Sequence, residues 1–538
     1  MTNKEIASKF NELAKIMELH GENKFKIRSY ANAYVQLRKI DRSLFEMTQE
    51  EIVSIKGVGK AIAEKIIQLK ENGTIETYER YKAQTPPGVI KMLSIKGFGP
   101  KKISTIWKEM GIESLGELLY ACNENRLIEI KGFGAKTQEE LKKNVEFFLK
   151  SEHKYRFADI ENIAKEVEDI LLKSTRGKLW RVGDLHRKEN VINDLTFVTT
   201  SESIPESTSE FSVERSSKGV VKAIFQDAYS VTIIQTSEED LDDQIFKLTY
   251  SNELQKLGKT EQDVLSRLGL KSVIPEMKNL RIEDFEILTR LQGTILEEED
   301  IRGVVHTHST YSDGIHTLEE MAMGAINRGY EYLVISDHSK SAFYAGGLKE
   351  EDLIRQWKEI DELNTRLTDF YIFKSIESDI LNDGSLDYDD EILSQFDLVI
   401  ASVHSNLKMD LEKATSRLIR AIEHPATSIL GHPTGRLLLS RRGYPIDHRK
   451  VIDACSANGV AIELNANPFR LDLDWSWIPY AMSKGVMIAI NPDAHSVNGI
   501  DHIHYGVISA RKGGLLKEYC LNALNLEKIR RFLQTEWK

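Results

Sequence analysis

A chain of 538 residues exceeds one ordinary domain, and its 41% apolar content is enough to build several hydrophobic cores. No uninterrupted apolar run has the length that crosses a bilayer, which excludes a membrane-spanning chain, and three scattered cysteines argue against a secreted disulfide scaffold, so we expect a cytoplasmic protein. The net charge of −11 is uneven, because residues 1–150 carry 26 Lys and Arg against 20 Asp and Glu.

Residues 1–150 read as short helices in which one pattern recurs three times. It joins an apolar residue and a lysine to Gly-x-Gly and a polar helix start, in SIKGVGKAIAEKI (54–66), SIKGFGPKKISTI (94–106) and EIKGFGAKTQEEL (129–141). Such a turn exposes backbone N–H groups that can bind a phosphate and that do not recognise the bases. The three turns resemble helix-hairpin-helix DNA-binding motifs, and plain structural turns are the alternative. The resemblance implies DNA contacts at Gly57, Gly59, Lys60, Gly97, Gly99, Lys101, Gly132, Gly134 and Lys136.

The middle of the chain, from residue 151 to about 290, mixes strands and helices. The sequence predicts strands in NDLTFVTT, VVKAIF and YSVTIIQT, with helical segments around them. The acidic segment LEEEDIRG (296–303) that follows is predicted to be a linker.

From residue 303 onward, apolar runs alternate with helical stretches. Seven runs read as strands, and most end in His, Asp or Glu: GVVHTH, YLVISDH, YIFKSIESD, LVIASVH, SILGH, VAIELN and VMIAINPDAH. Strands that alternate with helices predict a parallel sheet, and seven of them fit a closed or nearly closed α/β barrel. Because the carboxyl ends of barrel strands converge on one rim, the polar residues there should meet.

The strand ends supply residues of the types that bind metals. His306 and His308 stand two apart, so both side chains should face the same way on a strand. The full candidate set is His306, His308, Asp313, His338, Glu377, His404, His432, Asp493 and His495. Any one histidine alone would more simply be a surface or core residue, but six imidazoles and three carboxylates exceed what one ion uses, which predicts two or three divalent ions. Mixed ligands favour Mn or Zn, with Fe(II) as a further option, and such ions suit phosphoester hydrolysis.

The motifs HTHSTYSDG, ISDHS, ESD, VHS, GHPTGR and PDAH, in this order, resemble the PHP (polymerase and histidinol phosphatase) domain. All nine ligand positions of that pattern are filled. The resemblance implies a distorted α/β barrel with a three-metal phosphoesterase centre. It also implies that Arg436 in GHPTGR clamps a phosphate, and a salt bridge is the alternative for this residue.

The hairpins and the PHP pattern together resemble the bacterial family X DNA polymerases over essentially the whole chain. The resemblance implies an eight-kilodalton-like domain with the first hairpin at 1–85, a fingers-like hairpin region at 86–150, a palm at 151–237, a thumb-like region at 238–295 and the PHP domain at 303–538. In some relatives a lysine of the first hairpin forms a Schiff base with an abasic sugar. Lys65 stands at that position here, and a solvated helix lysine is its simpler role.

The palm segment departs from the family pattern, which needs a Gly-Ser turn for the triphosphate and three aspartates for two metal ions. Gly183 is followed by Asp184, which places a negative charge where phosphates bind. Only Asp194 remains of the three aspartates, because Thr196 and Thr232 occupy the other positions. A hydroxyl does not replace the charge of a carboxylate at a two-metal site, so the sequence predicts a degenerate, inactive polymerase module.

The main hypothesis is a DNA-repair protein whose barrel hydrolyses phosphodiesters from a 3′ end while the hairpins hold primer ends or gaps without sequence preference. The 3′-5′ direction follows from the resemblance alone. Three alternatives stay open: a bifunctional polymerase and 3′-5′ exonuclease, a histidinol-phosphatase-like enzyme for small molecules, and a non-catalytic scaffold that binds DNA ends. We expect no membrane partner, and the sequence indicates no particular protein partner.

Overall fold

The computed structural model describes the chain apart from residues 124–126, 128–132, 152–153, 205, 216–218, 227–228, 440–441 and 537–538. The chain divides into two compact units, Met1–Glu152 and His153–Lys538. Among the described helices, none has both the length and the apolar composition that a membrane span requires.

The first unit consists of helices around two apolar clusters. They are α1 (Asn3–Leu19), α2 (Lys24–Leu37), α3 (Gln49–Ser54), α4 (Lys60–Asn72), α5 (Glu76–Ala83), α6 (Pro87–Met92), α7 (Pro100–Met110), α8 (Leu115–Asn123) and α9 (Ala135–Ser151). The long helix α1 begins with a capping box between Thr2 and Glu5 and buries a stripe of apolar residues that includes Phe10, Leu13 and Met17. This buried stripe places α1 in the core of the unit, as the predicted series of short helices requires.

The second unit begins with a small mixed sheet covered by helix α10 (Phe157–Thr175). Its strands are β2 (Trp180–Arg181), β4 (Leu195–Thr199), β5 (Phe211–Arg215), β6 (Val220–Phe225) and β7 (Tyr229–Gln235), in the order β2–β4–β7–β6–β5. The short β1 (Tyr155–Arg156) and β3 (Val191–Ile192) pair with each other. The three predicted strands are present, and β2 and β5 are additional. Strands β4 and β7 run parallel, and the other pairs of the sheet are antiparallel.

Short helices follow this sheet and form an apolar cluster of their own. They are α12 (Leu241–Thr249), α13 (Asn252–Gln255), α14 (Glu261–Leu268) and α15 (Ile282–Leu291), and a single turn of helix, α11 (Gly183–His186), lies within the sheet region. Leu254 and Phe285 lie at the centre of the cluster and are buried. The region therefore has its own core beside the sheet.

Residues from 303 onward form a nearly closed barrel of seven parallel strands, which confirms the predicted fold. The strands are β8 (Gly303–Thr307), β9 (Tyr332–Ile335), β10 (Tyr371–Asp379), β11 (Leu398–Ser402), β12 (Thr427–Leu430), β13 (Ala461–Asn465) and β14 (Ile488–Asn491). Each strand pairs with its neighbours in chain order, and a bridge between Thr307 and Ala494 brings the two ends of the sheet together. Nearly all strand residues are buried, as expected for a parallel sheet covered by helices.

The helices around the barrel are α16 (Leu318–Ile326), α17 (Glu350–Arg366), α18 (Asp390–Leu393), α19 (Leu411–Ile422), α20 (His448–Asn458), α21 (Ile478–Ser483), α22 (Ile503–Lys512) and α23 (Leu526–Glu536). The acidic segment that we predicted to be a linker packs against this barrel. Leu296 and Ile301 are buried, and Glu297 forms an ion pair with Arg511 at 2.5 Å. The segment is therefore part of the folded unit rather than a free connection.

A buried ionic contact joins the small sheet region to the barrel. Lys512, the last residue of α22, is fully buried, and its Nζ lies 2.9 Å from Glu189 Oε2 and donates to the Arg187 carbonyl at 2.9 Å. Burial lowers the pKa of Lys512, and a buried charge of this kind is tolerated only where its partners are held in place. The contact therefore requires the two regions to pack in one arrangement.

Candidate metal centre

The nine predicted ligands lie at or just beyond the carboxyl ends of six barrel strands, and the structure brings them together. Eight of them form three overlapping groups in which the donor atoms all lie within 4.8 Å of one another: His308, Asp313, His338 and His495; His306, His308 and Asp493; His338, Glu377 and His404. The ninth, His432, places Nε2 3.1 Å from Glu377 Oε1. Because His308 and His338 each belong to two groups, the groups form one continuous cluster.

Glu377 lies at the centre of the cluster. Its carboxylate is 3.1 Å from His404 Nε2, 2.9 Å from His338 Nδ1 and 3.3 Å from His306 Nε2. The side chain is almost fully buried, so these imidazoles replace water around it. A carboxylate among several imidazoles would hold a divalent cation together with them.

The first strand reaches the cluster through an irregularity that the sequence did not reveal. The pairing register of β8 with β9 shifts between Val304 and Thr307, and His306 between them adopts φ +63°. A non-glycine residue with a positive φ has a strained backbone. Irregularities of this kind are common next to functional sites, where they change the direction of a side chain. The rings of His306 and His308 lie 5.3 Å apart at this irregular end of the strand.

One side of the cluster is open. The side chains of Asp313 and His495 are 35% and 38% exposed, and Asp313 Oδ1 lies 3.2 Å from His495 Nε2. In contrast, His306, His308 and His432 are almost completely buried. A substrate can therefore reach the cluster from the side of Asp313 and His495.

The carboxylates and imidazoles of the cluster shift one another's pKa values. Burial alone would raise the pKa of Glu377, but the surrounding imidazoles hold it well below its usual value. Burial, together with the neighbouring His495, lowers the pKa of His308 to about 3. Complete burial opposes a charged His306, yet the carboxylates around it, first Glu463, raise its pKa well above the usual value. Glu377 and His308 are thereby held as the ionised carboxylate and the neutral imidazole that ligate metals, whereas His306 would give up a proton when it binds a cation.

Buried carboxylates that we did not identify from the sequence orient the predicted ligands. Glu463 on β13 places Oε2 2.6 Å from His306 Nδ1, and Asp379 places Oδ1 2.5 Å from His404 Nδ1. Asp337, directly before His338, accepts hydrogen bonds from neighbouring residues that include Gln356. Carboxylate partners of this kind fix the tautomer and ring orientation of metal-binding histidines. The sequence shows that these residues are acidic, but no neighbouring residue distinguishes them from other buried carboxylates.

The cluster fits a group of divalent cations. Among the described residues, buried donor atoms without a hydrogen-bond partner include His306 Nε2, both ring nitrogens of His308, Glu377 Oε2 and His432 Nδ1. Buried polar atoms without partners are rare, and several of them on the residues of one mixed nitrogen and oxygen cluster are what bound metal ions would account for. These residues would hold the metals together with the other predicted ligands.

Two arginines near the cluster have different roles. Arg436 forms an ion pair with Asp474 at 2.6 Å and donates to the carbonyls of Arg470 and Leu471, so the salt-bridge alternative describes its contacts, and its guanidinium is engaged within the protein. Arg470, which we did not identify from the sequence, places Nε 3.5 Å from Asp493 Oδ2 and is partly exposed. Arg470 is therefore the arginine that borders the cluster.

The glycine turns of the first unit have the predicted form. Gly57 and Gly97 adopt φ +83° and +77°, and Gly59 and Gly99 are the N-caps of α4 and α7, without a side-chain cap. The middle residue of each turn is buried and holds the turn in place, while the glycines and the lysines that follow are exposed: Lys60, Lys101 and Lys136. Gly134 directly precedes α9, and Gly132 lies outside the described residues. Lys65 lies on α4 and is half-buried.

Comparisons with known proteins agree with this architecture. Residues 1–75 match the model of a helix-hairpin-helix domain, and residues 89–144 match a SAM-like helix-hairpin-helix tandem. Over 569 aligned residues the chain is 32% identical to the DNA polymerase/3′-5′ exonuclease PolX of Bacillus subtilis, covering 99% of this chain and 100% of that protein. The chain belongs to the PolX family. The hairpins and the barrel are therefore the helix-hairpin-helix and PHP-type phosphoesterase parts of a family X DNA-repair protein.

This PolX-family chain also matches shorter proteins over part of its length. It is 28% identical over 250 residues to a probable phosphatase of Caldanaerobacter subterraneus, which covers 43% of this chain and 91% of that protein. Among solved structures, histidinol phosphate phosphatase from Lactococcus lactis, complexed with zinc, L-histidinol and phosphate, matches 40% of this chain and 94% of its own at 15% identity, with a TM-score of 0.30.

The palm segment of this PolX-family chain has the predicted substitutions at the place where a polymerase site would lie. Thr196 on β4 and Thr232 on β7 are direct partners in the sheet register, and Asp194 precedes β4. Asp184 is held by an ion pair with Arg187 at 2.6 Å and accepts from Asn193. The structure therefore shows two threonines side by side in the sheet and an ion-paired Asp184 at the positions that the sequence predicts to belong to the degenerate polymerase site.

Proposed function

We propose that the barrel hydrolyses the terminal phosphodiester of DNA in the 3′-5′ direction and that the palm no longer catalyses synthesis. The convergence of six imidazoles and three carboxylates in one cluster with an open side is the observation that carries this proposal. The name of the Bacillus subtilis relative, a DNA polymerase/3′-5′ exonuclease, supports the choice of DNA as substrate and the direction. The probable phosphatases support phosphoester chemistry but align with less than half of the chain.

The nine clustered residues are proposed to hold two or three divalent ions, with Mn or Zn preferred and Fe(II) as a further option. Such ions supply a hydroxide nucleophile at neutral pH and neutralise charge on the phosphate oxygens. The buried carboxylates Glu463 and Asp379 keep His306 and His404 in the orientation that binds cations. The open side at Asp313 and His495 receives the end of the DNA.

We propose that Arg470 contacts the phosphate beside the cluster. Its guanidinium can donate to a phosphate oxygen, and its position against Asp493 places it at the reacting group. We expect Arg470→Gln to lower kcat/KM for DNA about 10- to 100-fold, because a charge-assisted hydrogen bond is lost, while metal content and thermal stability stay unchanged.

The matched variant for this prediction is Arg436→Gln. Arg436 fixes the loop of Arg470 through carbonyl contacts, so its loss should lower the free energy of unfolding by about 1–3 kcal/mol. Thermal melting and metal analysis of both variants separate the two roles. A lowered melting temperature in Arg470→Gln, with activity retained, would show that Arg470 is structural.

The hairpins are proposed to hold the DNA backbone at primer ends or gaps without reading sequence. We expect exchange of Lys60, Lys101 and Lys136 for Gln to weaken binding equally for unrelated sequences and to reduce the slope of log affinity against log salt by about one for each lysine. Lys4→Gln, an exposed lysine on α1 away from the turns, is the control. Fluorescence anisotropy over a salt series measures both quantities. An unchanged slope would remove the hairpin lysines from the interface.

The palm is proposed to act as a support for the barrel rather than as a polymerase. Its buried contact between Glu189 and Lys512 joins it to helix α22 of the barrel. The five-part division at 1–85, 86–150, 151–237, 238–295 and 303–538 stays a proposal, as does a lyase role for Lys65 on α4. A trapping assay with borohydride and an abasic substrate tests Lys65 directly.

The experiment that tests the proposed function compares DNA with histidinol phosphate as substrates of the full chain supplied with Mn. Release of single nucleotides from a 3′ end supports the exonuclease. Hydrolysis of histidinol phosphate without any DNA degradation favours the phosphatase alternative. DNA binding without hydrolysis of either substrate favours the scaffold alternative.

A further inference from the structure

Three exposed apolar side chains surround the mouth of the barrel. Phe343 is 86% exposed, Phe469 is 51% exposed and Ile315 is 42% exposed, and each lies in a loop that follows a barrel strand. The other large apolar side chains that the described barrel exposes, Met323, Ile354 and Leu411, lie on its helices. Single exposed apolar residues are common on surfaces, so the placement of these three is the informative feature.

Each of the three loops is tied to a predicted ligand. The Ile315 backbone N–H donates to the carbonyl of His495 at 2.9 Å. Phe469 is adjacent to Arg470, whose Nε lies 3.5 Å from Asp493. The exposed side chains are therefore fixed relative to the site where the phosphate reacts.

The loop of Phe343 is anchored in the same way. Ser341 donates to Asp379 at 2.8 Å, and Asp379 in turn orients His404. Ala342 and Ala345 on either side of Phe343 are buried, so the short helical turn is held by its small residues while Phe343 projects into solvent. An exposed aromatic ring on an anchored turn, one loop away from the proposed phosphodiester site, is suited to stack on a nucleobase.

Phe469 is held as a partly covered ring. The guanidinium of Arg156 lies 3.5 Å from its ring centroid, and Arg156 itself forms an ion pair with Asp159 at 2.7 Å. This contact fixes the plane of Phe469 and leaves about half of the residue exposed. Phe469 follows β13, whereas Phe343 follows β9, so the two rings stand on different parts of the rim.

We propose that Phe343 and Phe469 bind the terminal bases of the DNA strand by stacking and thereby position the scissile phosphate over the cluster. This inference rests on the proposed exonuclease function and adds the residues that hold the substrate. Stacking uses the face of the base, which every base has, so the proposal fits hydrolysis without sequence preference. Arg470 holds the phosphate, and the two rings hold the bases on either side of it.

The test compares removal of the ring with removal of the base. One oligonucleotide carries ordinary nucleotides at its 3′ end, and a second carries abasic tetrahydrofuran nucleotides at its last two positions. For the wild type with Mn, we expect kcat/KM to be about tenfold higher on the ordinary end, mainly through a lower KM. In Phe343→Ala we expect that advantage to fall to about threefold, because Phe469 still stacks on one base, with the rate on the abasic end equal to that of the wild type.

Two variants complete the design. Phe343→Trp keeps a stacking ring and should retain the advantage of the ordinary end, while Ile354→Ala, an equally simple truncation of an exposed side chain on helix α17, should leave both rates unchanged. Equal rates on the abasic end also show that Phe343→Ala is folded and metal-loaded. If Phe343→Ala has the same ratio of kcat/KM on the ordinary and the abasic end as the wild type, the inference is wrong and the proposed function is unaffected. If the wild type shortens neither oligonucleotide, the proposed function and the inference are both wrong.

Discussion

Replacing Glu377 with Gln is expected to lower the rate of 3′ hydrolysis at least about a thousandfold and to reduce the number of bound metal ions. Glu377 lies within 3.3 Å of imidazole nitrogens of four predicted ligands, and the amide keeps its shape while removing the charge that binds cations. Without the charge stabilisation that the metals provide, the free energy of the transition state rises by several kcal/mol. Single-turnover kinetics and metal analysis of the purified protein measure the two effects.

The control for this variant is Glu391→Gln, which changes an exposed carboxylate on helix α18 of the same barrel. It should leave the hydrolysis rate and the metal content unchanged. Circular dichroism establishes that both variants are folded. If Glu377→Gln binds the wild-type number of metal ions and hydrolyses DNA at the wild-type rate, the cluster is not the site of hydrolysis.

Primer extension is expected to be absent or at least about a hundredfold below the rate of degradation, with Mg or Mn. Thr196 and Thr232 stand at two of the three positions where the family X pattern requires a carboxylate. Asp184 stands at the position of the serine that the pattern uses to bind the phosphates. Hydroxyls bind a second cation poorly and do not stabilise the charge that develops on the transferred phosphate. The Glu377→Gln background is the best one for this measurement, because degradation cannot then conceal a product of synthesis.

The nuclease-deficient background also defines the opposite outcome. Robust extension of a primer by Glu377→Gln in the presence of nucleotides would show that the altered palm still catalyses synthesis, and the bifunctional alternative would then describe the protein. Extension that disappears when Asp194 is replaced by Asn would assign that synthesis to the palm itself.

The sequence predicted the barrel and its nine candidate ligands because both depend on local patterns. Apolar runs that end in His, Asp or Glu specify strand ends, and a parallel barrel brings strand ends to one rim. His306 and His495 lie almost two hundred residues apart and still fall in one cluster for this reason. The Gly-x-Gly turns were equally visible, since the positive φ of Gly57 and Gly97 requires glycine.

The remaining features of the site depend on three-dimensional packing that no short pattern encodes. Glu463 lies within an apolar strand, and its role becomes visible only when β13 packs beside His306. Arg470 follows β13 without a recognisable motif, whereas Arg436 stands in a conspicuous motif and makes structural contacts. The backbone of β8 is irregular at His306, where the pairing register shifts and φ is positive, and nothing in the composition of the segment indicates this.

A single gel assay tests the central claim most directly. One primer–template labelled at the 5′ end of the primer is incubated with the wild-type chain and Mn, with and without the four nucleotides. The metal cluster at the barrel rim predicts a ladder of shortened primers in both lanes and no product longer than the primer. A primer that stays intact with metal-replete protein, or one that is lengthened when nucleotides are present, would contradict this account.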